Sequence, residues 1–149
     1  MELVPLNVIS TYSLLQSPLR PQELVQGAKA KGYHAVALAD WNVMYGAIDF
    51  YSAAKAAGIK PLLGLRLHLK TAAMTTRGLE VLFLARTQAG YLNLMQLSTL
   101  KQTQAQTRFL THQEIKPYLN DLDLILPAQP LTLDQSLIDQ WLPAMIEAT

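Results

Sequence analysis

The sequence contains no cysteine. That excludes disulfides and thiolate metal sites, and it is compatible with a cytoplasmic location. Charge is also sparse: 12 Lys and Arg stand against 11 Asp and Glu, for a formal net charge of +1 over 149 residues. A domain that grips nucleic acid by itself carries a clustered basic stripe; none is visible, so this segment is not read as a DNA-binding module in its own right. No apolar run approaches the roughly 20 residues of a membrane helix. The opening "MELVPLNV" lacks the basic start and long apolar core of a signal peptide, and no membrane partner is expected. Glycine-rich phosphate loops are missing too, because "GAKAKG" and "AGIKPLLG" fit neither the P-loop nor the dinucleotide spacing. What is abundant is apolar side chain. Half the residues are hydrophobic and only 15% are charged, which excludes disorder and suits one α/β domain with a buried sheet.

The segments alternate in pattern. "ELVPLNVI" is β-leaning and reads as a first strand with an irregular start at Pro5. "SPLRPQELVQGAKAKG" reads as a helix with Pro21 in its first turn, Leu24, Val25 and Ala28 as its inner stripe, and Gly32 as its stop. Ala35–Ala39 is a short continuous apolar run, as in a strand buried on both faces. "YGAIDFYSAAKAAG" predicts a helix with Ala47, Ile48, Tyr51 and Ala54 on one face and Gly58 at its end. "KPLLGLRLHL" alternates: Leu63, Leu65, Leu67 and Leu69 point one way, Gly64, Arg66 and His68 the other. "TTRG" reads as a turn, "LEVLFLAR" as a strand, "AGYLNLMQLSTL" as a helix and "KQTQAQTR" as a solvated loop. Thr111 and Glu114 have capping-box spacing before a short helix, and "LDLILP" reads as a last strand. Thr132 and Gln135 repeat the spacing ahead of an amphipathic tail. Repeated β–α units imply parallel strands with crossover helices. The strands are too few for an eight-stranded barrel, which takes about 250 residues.

Sites on such sheets lie at the carboxyl ends of the strands. The candidates there are Asp40, His68 and Glu80, with Arg66 set to repel a cation. Asp40 reads as a cap of the following loop or helix before it reads as a base. His68 reads as a surface or satisfied histidine, and His34 and His112 carry no site signal. Ser10, Thr11, Tyr12 and Ser13 form a hydroxyl-rich turn with no histidine near in sequence to activate a serine.

Three stretches together say more. "TYSLLQS", "ALADWNVMYGAIDFYSAAKAAGIKPLLG" and "LARTQAGYLNLMQL" closely resemble the N-terminal PHP (polymerase and histidinol phosphatase) domain of bacterial DNA polymerase III alpha subunits. The resemblance is strong over 1–100, continues faintly to 126 and is unclear over 127–149. It implies a single PHP domain over 1–149 at the N-terminus of a much longer polymerase chain, with a partial or distorted TIM-like (β/α)7 barrel. It also implies a cluster of metal ligands at the strand ends, and the residues standing there are unusual. The opening His-x-His falls on Asn7 and Ile9, and the acid of the Leu-Leu-Asp-Gly motif on Gln16. The histidine after the strand-end aspartate falls on Trp41, the glutamate following Gly64 on Arg66, and a histidine opening the next strand on Glu80. Asp40 is the neighbouring acid retained, a structural partner for Arg66 as Glu80 would also be. Ile9 and Trp41 are expected to fill the space of ions and water, and Arg66 to supply a fixed cation. No cofactor or metal is therefore expected in this segment, and no catalytic residue.

For the parent chain the resemblance implies DNA-directed DNA synthesis in replication, a nucleotidyltransferase reaction with Mg in a palm domain outside this sequence. It implies the palm and thumb domains as partners, together with a proofreading exonuclease subunit, and DNA bound through the full chain rather than through this domain. The segment itself is expected to be a catalytically silent scaffold or docking module. Two other readings stay open: an active phosphoesterase of the histidinol phosphatase kind, which needs the opening histidines, and a stand-alone α/β interaction domain.

Overall fold

Pro21 opens helix α1 (Pro21–Ala30), which buries Leu24, Val25 and Ala28 and is followed by Gly32 at φ +74°. In the computed structural model, residues 3–70, 78–104 and 108–127 are described. The turn expected at "TTRG", except for Gly78, and the capping box and tail beyond residue 127 lie outside them. The remaining elements follow as β1 (Ala35–Trp41), α2 (Ala47–Ala57), β2 (Lys60–Lys70), β3 (Leu79–Ala85), α3 (Gln88–Gln104), β4 (Leu110–Thr111), α4 (His112–Ile115), a 3-10 turn (Lys116–Tyr118) and β5 (Leu122–Ile125). No helix among the described residues is long and apolar enough to cross a membrane.

The sheet is open, mixed and built around β2. β1 runs parallel to β2 with α2 as the crossover, so Ala39 lies beside Gly64 and Trp41 beside Arg66. β4 is also parallel to β2. Leu69 pairs with Leu79 on one edge and Leu110 on the other, which places β4 on the same edge as β1. The expectation of parallel strands holds for these pairs, but β3 runs antiparallel to both β2 and β5. The chain between Lys70 and Leu79 is shorter than the dozen or more residues a parallel crossover needs, so the strand turns back.

Three other expectations change. "ELVPLNVI" is not a regular strand: Ala37 N–H donates to the Pro5 carbonyl (2.9 Å) and Ala39 N–H to that of Val8 (2.8 Å). Two residues of β1 are thus matched by three of the leading segment, and Pro5 has no N–H to return, so no ladder forms. Helix α2 buries Ala47, Phe50 and Ala54, whereas Ile48 is 65% and Tyr51 45% exposed. The rotation of the helix is set by Phe50, its largest apolar group, which is fully buried. Finally, α3 extends through Gln104 into the stretch expected to be a loop. Lys101 is buried there, and its ammonium donates to the Arg108 carbonyl (2.7 Å), which gives the polar turn of helix a tertiary anchor.

The helix-covered face of the sheet is dry. Leu65, Leu67, Leu69, Val81 and Phe83 pack with Leu94 and Leu97 of α3, while Val36 and Leu38 pack with Leu24, Val25, Phe50 and Ala54 of α1 and α2. The other face carries small and polar groups: Ala37, Ala39, Gly64, Arg66 and His68 beside Leu82 and Leu84. A Cβ on Gly64 would come within 2.7 Å of Leu84 Cδ2 and 2.8 Å of the Phe83 carbonyl oxygen, so this position admits glycine only. The predicted capping box is formed as well. Thr111 N–H donates to Glu114 (2.8 Å), and Arg108 pairs with the same carboxylate. The hydrogen bond from Arg108 and that from the Thr111 backbone hold the Glu114 carboxyl down at about 2.

Candidate functional site at the strand ends

Adjacent residues of a strand point to opposite faces, and this separates Asp40 from Trp41 at the end of β1. Asp40 is 3% exposed and lies on the helix-covered side. Its Oδ1 accepts from Ser10 N–H (2.6 Å) and Ser13 Oγ (2.7 Å), and its Oδ2 accepts from Ser10 Oγ (2.7 Å). Ser13 Oγ in turn accepts from Trp41 N–H (3.0 Å). A buried carboxylate is tolerated when its lone pairs are filled, and here three donors fill them. Asp40 therefore fastens the loop of residues 10–13 to the end of β1. The hydroxyl-rich turn has its role here too: Ser10 and Ser13 are fully buried as the acid's partners.

On the opposite face, Arg66 is 9% exposed. Its Nη1 lies 3.4 Å from Glu80 Oε1, and its Nη2 donates to the Asn7 carbonyl (3.1 Å) and to Asn7 Oδ1. Of the two acids open to it by sequence, Glu80 is the ion partner. Asp40 is committed to the serines and acts on Arg66 only at longer range. Burial draws the guanidinium below its usual pKa, against the opposing pull of Glu80 and then Asp40. Arg66 Nε is buried with no hydrogen-bond partner among the described residues.

Trp41 stacks on His68, with ring centroids 4.4 Å apart and planes 10° from parallel. The Arg66 guanidinium carbon lies 5.4 Å from the indole centroid, and the Phe109 ring is tilted against His68 with centroids 5.7 Å apart. Burial lowers the His68 pKa; Glu80 opposes this and Lys101 adds to it. The structure thus brings Asn7, Trp41, Arg66, His68 and Glu80 into one cluster. Asp40 lies behind the sheet, and Gln16 is exposed on the loop. Ile9 is half-buried. The expected filling by Trp41 is partial, since it lines a cleft of about 430 Å3 with Tyr12, Gln16, Asn42, Tyr45 and Gln102.

A divalent cation does not fit this donor set. Among the described residues no group of three or more His, Cys, Asp or Glu converges. A cation between His68 and Glu80, which face each other across β2 and β3, would meet a buried guanidinium already paired with that glutamate. Sequence reasoning missed Tyr45, four residues beyond Trp41, and Phe109, Lys101 and Gln102, which arrive from segments remote in sequence. For Lys101 and Gln102 the local sign was that the helical segment runs on into polar residues at its end.

Comparison with known proteins places this architecture. The PHP domain family model matches residues 5–131. The DNA polymerase III subunit alpha of Halalkalibacterium halodurans is 39% identical over 85% of this chain and 11% of its own length. That of Bacillus subtilis is 42% identical over 70% of this chain and 9% of its own length. The Treponema pallidum subunit is 31% identical over 98% of this chain and 13% of its own. This chain spans about a tenth of the length of these curated relatives. Among solved structures, an amidohydrolase from Chromobacterium violaceum, with bound sulfate and no metal, superposes with a TM-score of 0.69 at 12% identity, covering 97% of this chain and 74% of that one. A candidate metal-dependent phosphoesterase from Bifidobacterium adolescentis gives a TM-score of 0.53 at 20% identity, covering 65% and 31%. At such identities the likeness is one of fold. With the family model matching residues 5–131 and relatives 31–42% identical over most of its length, the chain belongs to the PHP domain family, among relatives that are DNA polymerase III alpha subunits.

Proposed function

We propose that this domain is the metal-free, catalytically silent PHP module of a DNA polymerase III alpha-type chain, kept as a scaffold and docking element. The observation that carries this reading is the Arg66 cluster. A buried guanidinium, tied to Asn7 and Glu80 and flanked by the Trp41–His68 stack, supplies a permanent positive charge where a phosphoesterase would assemble ligands. A fixed charge of that kind repels a divalent ion, and a stacked indole has no lone pair to offer one.

On this reading the polymerase reaction, its magnesium and its grip on DNA belong to the rest of a chain roughly nine-tenths of which lies outside this sequence. The partners are then the palm and thumb domains of that chain, with a proofreading exonuclease as a separate one. The domain contributes a rigid surface. Elemental analysis of the purified 149-residue protein, with hydrolysis of p-nitrophenyl phosphate assayed in added zinc and manganese, tests the proposal. The expected result is no stoichiometric metal and no metal-dependent turnover; either one observed overturns it.

A further inference from the structure

The cleft beside Trp41 has a composition that the scaffold reading does not use. Among the described residues, Tyr12, Ser13, Leu14, Gln16, Trp41, Asn42, Val43, Tyr45 and Gln102 line it, and none carries a charge. Its volume, about 430 Å3, lies within the range of small-molecule sites. Tyr45 is 67% exposed and meets Tyr12 edge to face, with centroids 6.4 Å apart, so a broad ring face is presented to solvent at the rim.

The Asn42 backbone and the Gln102 side-chain amide are held in place. Asn42 is held at φ +63°: its N–H donates to the Arg66 carbonyl (2.9 Å), and its own carbonyl accepts from Ser98 Oγ (2.9 Å) and Gln102 Nε2 (3.2 Å). A left-handed asparagine costs energy that these three bonds offset. Its side-chain amide makes no hydrogen bond with the described residues, and neither does that of Gln16. Gln102 keeps its Oε1 for another partner, having already committed its NH2 group to Asn42. Aromatic faces with paired carboxamides, and no charge, match a flat heterocycle that has both donors and acceptors on its edge.

We propose that this cleft holds an unpaired nucleobase, stacked on the Tyr45 face and read at its edge by the carboxamides of Asn42, Gln16 and Gln102. With no cation among the described residues that line the cleft, phosphate is expected to contribute little, so binding is weak and insensitive to salt. This goes beyond the scaffold reading and stands or falls without it. The base has two sources, a free nucleoside or a single-stranded nucleic acid.

The test uses tryptophan fluorescence in a Trp141→Phe background, so that Trp41 alone reports, excited at the red edge clear of base absorption. Adenosine and a short oligo(dA) are titrated in parallel, with maltose as control, at low and moderate NaCl. Saturable quenching by adenosine, unchanged by salt and weakened about fivefold or more by the exposed-site variant Tyr45→Ala, is the expected result. An oligonucleotide that binds more tightly than adenosine with the same indifference to salt supports the single-strand source, and equal affinity per base the nucleoside. No saturable quenching, an equal response to maltose, an oligonucleotide response abolished by salt, or a Tyr45→Ala variant that binds unchanged would each overturn the proposal.

Discussion

The two faces of one sheet follow different rules. On the helix-covered face, Leu65, Leu67 and Leu69 of β2 are wholly buried against Val81, Phe83 and α3, and stability comes from apolar area removed from water. On the other face, the same strand turns Gly64, Arg66 and His68 toward Ala39, Trp41 and Glu80. There every polar atom needs a partner, and one of them, Arg66 Nε, has none among the described residues. The difference between the faces is a lesson in what each can afford to change. A leucine ladder tolerates other apolar groups of similar volume. A buried guanidinium is less tolerant, because removing either Glu80 or Asn7 leaves part of its charge without a partner.

The largest effect expected from breaking this contrast is in the dry face. Leu67→Ala removes a fully buried side chain and should cost about 3–5 kcal/mol by urea unfolding. A cost below about 1 kcal/mol would mean that the helix-covered face is not the folding core. Next is Asp40→Ala, which strands two buried serine hydroxyls and the Ser10 N–H. About 2–4 kcal/mol is expected, with faster proteolysis in residues 10–17, where exposed Leu14 and Leu15 already stand. If Asp40 paired instead with Arg66, Arg66→Met would show the same loop cleavage; it is expected not to.

The smallest effect sharpens the polar face. Folding lowers the His68 pKa below 6.5, so the unfolded chain binds the proton more readily. The sign follows by linkage: the stabilisation is complete above the unfolded value near 6.5 and is lost as pH falls through the lower folded one. Thermal melts of the native chain should drop between about pH 7 and pH 5 by more than those of His68→Phe, which keeps a ring against Trp41. Equal slopes would show that His68 is not buried against Trp41 in solution.

Much of this was legible in order along the chain. The α1 stripe of Leu24, Val25 and Ala28, the alternation of β2, the stop at Gly58 and the Thr111–Glu114 box are local patterns set by the helix period, the pleat and capping chemistry. The turning of α2 was not legible, because Ile48 and Tyr51 also carry large apolar surfaces at helical spacing, and packing against α1 and β1 decides that Phe50 faces inward. The direction of β3 was missed because the expectation rested on the β–α alternation rather than on the short connection after Lys70, which forces the strand to turn back. The residue types at Asn7, Ile9, Gln16, Trp41, Arg66 and Glu80 were visible in the sequence. Their arrangement, with Asp40 on one face and Arg66 on the other, was not.

By itself, then, the sequence determined the elements, their caps, and the residue types at the strand ends, because each depends on neighbours within a turn or a pleat. Only the tertiary structure decided that Asp40 serves Ser10 and Ser13 while Arg66 takes Asn7 and Glu80, and that Trp41 meets His68, 27 residues further along the chain. Those choices are made by which side of a shared sheet each side chain leaves, and by what other strands and helices bring to meet it.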